Sequence, residues 1–242
     1  MLWDKDDLAR YERWHASEAG AYALARECHL LERMTAGWPR RGRTLLEVGC
    51  GPGVFLSLFH NAGFDVTGFD KSPVMLEAAK ERLGNRAAFH LGDAHRLPYA
   101  DNEFDYVALL TVLEFVDSPR AVLAEAARVA KRALLVGYLN RFSFYRLEAR
   151  RHRLLSRAAW FSPWRMRRLA RSATGAAPIS EASVLLGPAC AWRDGFPLWG
   201  LGRVILPLPI GAYCAFTVDL CAEPPLTPLP AWSRSAEPTK SF

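Results

Sequence analysis

Cysteine is scarce in this sequence and poorly spaced for metal or redox work. The 242 residues hold five, namely Cys28, Cys50, Cys190, Cys214 and Cys221, an odd number with no C-x-x-C pair. Neither a zinc site nor a disulfide framework can be built from that spacing. A C-x-x-x-C-x-x-C triplet is also missing, so an iron–sulfur radical centre would have no ligands, and no bound metal is expected. The last three cysteines fall late in the chain, where a soft-metal or arsenite-type substrate would find thiols, but apolar burial is the commoner reason for such residues. A secretory leader is lacking too. Met1–Arg10 carries Asp4, Asp6 and Asp7 with no apolar core behind them, so the chain is expected in the cytoplasm. The most apolar stretch, Gly195–Val218, has Arg203 as its one charge but is cut by Pro207, Pro209 and several glycines, which excludes a spanning helix.

What is present suits a folded α/β domain. Half of the residues are hydrophobic and 23% are charged, and the length accommodates one well-cored domain with decorations. The net charge of +6 is concentrated. Between Arg141 and Arg171 stand ten arginines and a single acid, Glu148, interleaved with Phe142, Phe144, Tyr145, Trp160, Phe161 and Trp164.

The chain is organised around Thr44–Gly53, T-L-L-E-V-G-C-G-P-G. Leu45, Leu46 and Val48 read as a buried parallel strand. Gly49, Gly51 and Gly53 form a turn in which the backbone can lie against a ligand, and Val54–Asn61 continues as a helix. A dinucleotide G-x-G-x-x-G begun at Gly49 would need glycine at position 54, where Val54 stands, so that fingerprint fails at its third glycine. Further strands follow at Asp65–Phe69, Ala87–Gly92, Tyr106–Leu110 and Leu134–Tyr138. Between them, Ser72-Pro73 and Ser118-Pro119 pair an N-cap with a first-turn proline to start two helices. Alternating strands and helices imply right-handed crossovers and a parallel sheet covered on both faces. Before the first strand, Asp7–Met34 reads as helical with a break at Gly20.

E-V-G-C-G-P-G, with Asp70 21 residues beyond Gly49 and Asp93 after the third strand, resembles the motif series of class I S-adenosylmethionine (SAM)-dependent methyltransferases, in particular the type 11, UbiE-like small-molecule group. The resemblance implies a doubly wound, Rossmann-like, mostly parallel seven-stranded sheet with an antiparallel last strand at Ala212–Val218. It implies SAM as cofactor and S-adenosylhomocysteine (SAH) as product. Glu47, Gly49 and Gly51 would border the methionine portion, and Cys50 and Gly53 would also belong to the cofactor site. Asp70, with Lys71 beside it, would take the ribose hydroxyls, a bidentate role that suits a carboxylate. Met75, Asp93 and Ala94 would meet the adenine, and Leu110 and Thr111 the methionine near the transferred methyl. Relatives often carry His where this chain has Glu114, which makes Glu114 a candidate base or amine-orienting group, with a solvated helix residue as the alternative. Tyr11 is a second candidate, in an N-terminal helical cap over residues 1–43. The methyltransferase domain is read as 44–222, with a basic aromatic insertion at 139–182 and a proline-rich tail at 223–242.

Three roles compete for the insertion: a lid for an anionic substrate, contact with an anionic membrane and nucleic-acid binding, with a solvated basic face as the plain alternative. The lid is favoured and membrane contact ranks second. Nucleic acid ranks below both, because no RNA-binding module and no N-P-P-Y-type motif is present. The expected partner is a small-molecule acceptor, anionic or amphipathic. The oligomeric state is not specified. A non-catalytic SAM-binding sensor or scaffold and a nicotinamide oxidoreductase, the latter weakened by Val54, are the competing functions.

Overall fold

The structure, a computed structural model, describes residues 3–149, 155–193 and 204–221. The tail after 221, three of the ten arginines (Arg150, Arg151 and Arg153) and the 194–203 part of the apolar stretch lie outside the described residues.

Two helices come first, α1 (Lys5–Ala16) and α2 (Glu18–Met34). The break between them falls at Ser17 rather than Gly20. Ser17 is extended, and its Oγ accepts the Gly20 N–H at 3.2 Å to cap α2. Gly20 serves the crossing instead, since a Cβ there would meet the Trp14 carbonyl oxygen at 1.9 Å.

The α/β core then runs β1 (Thr44–Val48), α3 (Val54–Asn61), β2 (Asp65–Asp70), α4 (Pro73–Leu83), β3 (Ala87–Leu91), β4 (Phe104–Leu110), α5 (Pro119–Val129), β5 (Ala130–Leu139), α6 (Tyr145–Ala149), α7 (Pro163–Thr174), β6 (Ile179–Val184) and β7 (Tyr213–Asp219). The strands form one sheet in the order β3-β2-β1-β4-β5-β7-β6. Only β7 runs against its neighbours, pairing antiparallel with both β5 and β6. The strand order reverses between β1 and β4, so a crevice opens there at the carboxyl ends of the strands, where open α/β sheets bind ligands.

Pro73 and Pro163 sit in the first turns of α4 and α7. Ser72 Oγ accepts the Met75 N–H and Ser162 Oγ accepts the Arg165 N–H, completing both caps. Ser118 makes no such side-chain bond; its own N–H donates to His95 Nε2 at 3.3 Å. One apolar layer joins α2 and α3 to the sheet through Leu30, Leu31, Phe55 and Phe59, and the other joins α5 and α7 through Val122, Leu123, Met166 and Ala170. Helix α7 is therefore an integral layer of the sheet. The arginine-rich segment splits into this core helix, whose Arg167 pairs with Glu181 at 2.8 Å, and an added piece between β5 and α7. Asp105 at the start of β4 gathers Arg43, Arg132 and the Thr44 N–H, a structural clasp below the crevice. Among the described residues no helix is long and apolar enough to cross a membrane.

Candidate active site

A cavity of about 630 Å³ occupies the crevice, within the range of small-molecule and cofactor sites. Its floor is the loop after β1. Gly49 and Cys50 both donate their N–H groups to the Phe69 carbonyl, at 2.7 and 3.1 Å, which ties the loop to the end of β2. Gly49 has φ 72°, and a Cβ on it would stand 2.3 Å from Val112 Cγ2, so glycine is required for the loop to pass under the segment after β4. Gly51 has φ 52° and would aim a Cβ at open space; its backbone faces the cavity. Gly53 differs. It is absent from the cavity wall, and a Cβ there would meet Leu83 Cδ1 at 2.8 Å and Ala79 Cβ at 3.1 Å. Its job is close packing of α3 on α4, which corrects its expected place in the cofactor site.

Carboxylates mark the ends of successive strands. Glu47, the penultimate residue of β1, is 1% exposed, and its Oε2 has no hydrogen-bond partner. Burial first, and then the charge of Asp70, push its carboxyl well above the usual range. Asp70 at the end of β2 accepts the Gly51 N–H on Oδ2 at 2.9 Å and the Ser72 N–H on Oδ1 at 2.8 Å. Each oxygen keeps lone-pair capacity toward the cavity, and burial raises its pKa despite these bonds. Asp93 follows β3 and is held by Lys71 Nζ at 2.7 Å and by the His95 N–H at 3.0 Å. Lys71 is the first cause that keeps this carboxyl well below its ordinary value. Lys71, just past the end of β2, thus holds Asp93, just past the end of the neighbouring β3. Met75, Ala94, Cys50 and Leu110 line the same cavity, as does Thr111, whose φ of 51° is a left-handed geometry of the strained kind that clusters at functional sites.

Helix α1 straps over this floor. Ser72 Oγ donates to the Trp3 carbonyl at 2.8 Å, and the Trp3 ring meets Phe115 edge-on at 5.2 Å, so the strap spans from α4 to the segment after β4. Tyr11 reaches the cavity, its ring 4.3 Å from that of His15, and burial raises its phenol pKa. His15 is pushed down to about 4 by burial and by Arg82, so it is neutral at pH 7.

Glu114 is placed elsewhere. It lies in a 3-10 turn, Leu113–Phe115, is 2% exposed and does not line the cavity. Its Oε1 accepts the Leu139 N–H at 2.7 Å, and its carbonyl accepts the Ala159 N–H at 2.8 Å. The carboxyl props the end of β5 and the segment leading to α7, and it is neither a base facing the cavity nor a solvated helix residue.

The structure adds residues that motif reading missed. Glu27 of α2 faces the cavity beside Tyr145, Leu139 and Leu155 and has no hydrogen bond or ion pair among the described residues. Burial pushes its carboxyl up to about 8. A readable signal existed: Glu27 lies on the same 3–4 spaced stripe as the buried Gly20, Ala23, Leu30 and Leu31, so it is a charge on the apolar face.

Comparison with known proteins finds similarity over the part of the chain that builds this crevice. Residues 46–134 match the profile of the family described as "Methyltransferase domain". Over this stretch the chain is similar to methyltransferase domains. A demethylmenaquinone methyltransferase of Renibacterium salmoninarum is 40% identical over 90 residues, covering 37% of this chain and 38% of that one. A malonyl-[acyl-carrier protein] O-methyltransferase of Serratia marcescens is 35% identical over 118 residues, 47% of this chain and 45% of that one. The matched stretch thus spans less than half the length of these relatives. Among solved structures, a SAM-dependent methyltransferase of Thermotoga maritima superposes with a TM-score of 0.70 at 24% identity, covering 88% of this chain and 95% of that one. A magnesium protoporphyrin IX methyltransferase of Synechocystis, crystallised with SAM, gives 0.63 at 15% identity over 89% and 91% of the two chains. These structural likenesses establish the fold alone.

Proposed function

We propose that this protein transfers a methyl group from SAM to a small-molecule acceptor bound between its core and its N-terminal strap. One observation carries the reading. Glu47, Asp70 and Asp93, from the ends of three adjacent strands, line one cavity floored by Gly49 and Gly51, and the Glu47 Oε2 is buried without a partner. A buried, unpaired carboxyl oxygen is costly, and the ammonium of a bound amino acid would satisfy it. Asp70 presents two oxygens that are each fixed by one amide, which suits a pair of ribose hydroxyls. Asp93, fixed by Lys71 and His95, offers an acceptor to an exocyclic amine.

When bound, SAM supplies a methyl already activated on a sulfonium. The chain therefore has to position two reactants and exclude water rather than generate a strong nucleophile. The α1 strap excludes water, anchored through Trp3 to Ser72. Leu110 and Thr111 border the reacting end of the cofactor space. On the acceptor side the wall is Tyr11, Trp14, Leu139, Tyr145 and Leu155, with Glu27 as its unpaired carboxyl. An acceptor with an apolar body and one proton-bearing polar group fits that wall. Glu27, with its carboxyl pushed up to about 8 by burial, holds a proton at pH 7 and meets such a group as a hydrogen-bond donor, becoming a proton acceptor as pH rises through that value.

The test is calorimetric titration with SAM, SAH and NADH, followed by transfer of labelled methyl from SAM to amphipathic small molecules. Micromolar binding of SAM and SAH together with label in an acceptor is the expected result. Binding without transfer to any acceptor would favour a sensor or scaffold, and NADH binding without SAM binding would overturn the reading.

A further inference from the structure

The added piece between β5 and α7, the first turns of α7 and the approach to β7 carry exposed apolar side chains with arginines among them. Phe142, Phe144, Leu147 and Trp164 are between 62% and 72% exposed, and Leu208 and Ile210 are 56% and 55% exposed. These side chains stand on a braced frame. Asn140 Nδ2 donates to the Pro209 and Gly211 carbonyls, both at 3.0 Å, and its Oδ1 accepts the Phe142 N–H at 3.0 Å. The Arg141 N–H donates to the Phe161 carbonyl at 2.8 Å, and the Phe161 N–H to the Leu139 carbonyl at 3.2 Å. The Phe142 and Trp164 rings meet edge-to-face at 5.6 Å. Rigid display of aromatic rings toward solvent costs apolar hydration and serves nothing inside the fold.

The charges around the cluster have one sign. Arg141, Arg157, Arg165 and Arg168 are exposed and make no ion pair among the described residues. Glu148, the one acid of the segment, is occupied by the Ala189 N–H at 3.1 Å. Aromatic rings and aliphatic side chains ringed by unpaired arginines match the boundary of an anionic bilayer, where rings sit at headgroup level, aliphatic chains enter the acyl region and guanidinium groups pair with phosphates. Bases or phosphates alone would leave Leu147, Leu208 and Ile210 without a role. The added piece between β5 and α7 also supplies Tyr145 and Leu155 to the cavity wall, so part of the apolar face and part of the acceptor side of the cavity are built from one piece of chain.

We propose that Phe142, Phe144, Leu147 and Trp164, with Arg141 and Arg165 beside them, dock the protein on an anionic lipid surface next to the cavity. The inference rests on the surface alone and holds whether or not the cavity takes SAM.

The experiment is co-sedimentation of the full chain with phosphatidylcholine vesicles and with vesicles containing phosphatidylcholine and phosphatidylglycerol in equal parts, alongside tryptophan emission. Binding at least about tenfold stronger to the anionic vesicles is expected, weakening with salt and shifting the emission to the blue. Phe142→Ser/Trp164→Ser should weaken partitioning by about tenfold or more. Arg141→Glu/Arg165→Glu should weaken it by at least about fivefold per arginine. All four side chains are exposed, so both variants should keep the wild-type melting temperature, and SAM titration of each serves as an independent readout of the cavity. The proposal is overturned by no binding to anionic vesicles, by equal binding to both vesicle types, or by wild-type partitioning of both variants. It also fails if an oligonucleotide is bound in place of vesicles, or if wild-type protein is a dimer that the Phe142/Trp164 variant dissociates while vesicles are ignored.

Discussion

Replacing Asp70 by alanine is the sharpest perturbation of the proposed cofactor site, because its consequences for binding and for folding separate. In the folded protein the carboxylate accepts the Gly51 and Ser72 N–H groups at 2.9 and 2.8 Å, and burial raises its pKa in spite of them. Desolvation therefore outweighs the two backbone bonds, and removing the charge relieves that cost. Against this relief stand two amides left without their acceptor, at about 1–3 kcal/mol for a buried group. The two effects oppose each other, so stability should change by less than the loss of the acceptor alone would give, below about 3 kcal/mol. Binding has no such offset. Loss of the hydrogen bonds to an ionised acceptor should weaken SAM by about 1.5–3 kcal/mol, or roughly 10- to 160-fold in Kd. Calorimetry with SAM and SAH measures the second quantity and urea unfolding the first. Wild-type affinity in Asp70→Ala would refute the ribose assignment, and a collapse of stability with proportionate loss of binding would show that Asp70 acts by holding the loop.

Other outcomes follow from the same geometry. Gly49→Ala places a methyl 2.3 Å from Val112 Cγ2 at φ 72° and should cost about 2–4 kcal/mol of stability, whereas Gly51→Ala meets nothing within 4 Å and should cost about 1–2 kcal/mol while weakening SAM; denaturant unfolding and calorimetry on the pair check this, and equal stability losses would contradict it. Glu27 has a folded pKa of about 8, raised by burial from 4.5. The folded state therefore holds its proton more tightly, and stability falls as pH rises from the unfolded value through about 8. Glu27→Gln should match wild type near pH 5 and exceed its melting temperature by roughly 3 °C or more near pH 8; a difference that does not change with pH would show that Glu27 titrates normally. Glu114→Gln keeps an acceptor for the Leu139 N–H and should retain SAM affinity, while Glu114→Ala opens a buried hole around an orphaned amide and should lower stability by about 2–4 kcal/mol; loss of SAM binding in the glutamine variant would return Glu114 to the cavity.

Much of the core was legible because the first three strands each stop at a glycine or an aspartate that announces the boundary. Asp70 and Gly92 close the second and third strands, and Ser72-Pro73 opens a helix with a cap and a fixed φ, which are local signals independent of tertiary contacts. Where a residue's role depends on what lies across from it, the sequence was silent. Gly53 stands in the same glycine series as Gly51, yet Leu83 and Ala79 from another helix decide that it packs while Gly51 faces the cavity. Glu114 reads as a residue at the catalytic strand end, but the 3-10 turn carries it inward to the Leu139 amide. The break between the first two helices was expected at Gly20, whereas a serine cap sets it three residues earlier and the glycine answers to Trp14. The basic segment has uniform composition, but Met166 and Ala170 bury one side of α7 in the core while Trp164 on the same helix, and Phe142 before it, stay on the surface.

The most direct measurement is calorimetric titration of the wild-type chain with SAM and then with SAH. One site per chain, micromolar affinity and displacement of SAM by SAH are the expected results. No heat with either ligand in a chain that melts cooperatively would contradict the claim that Glu47, Asp70 and Asp93 frame a SAM site.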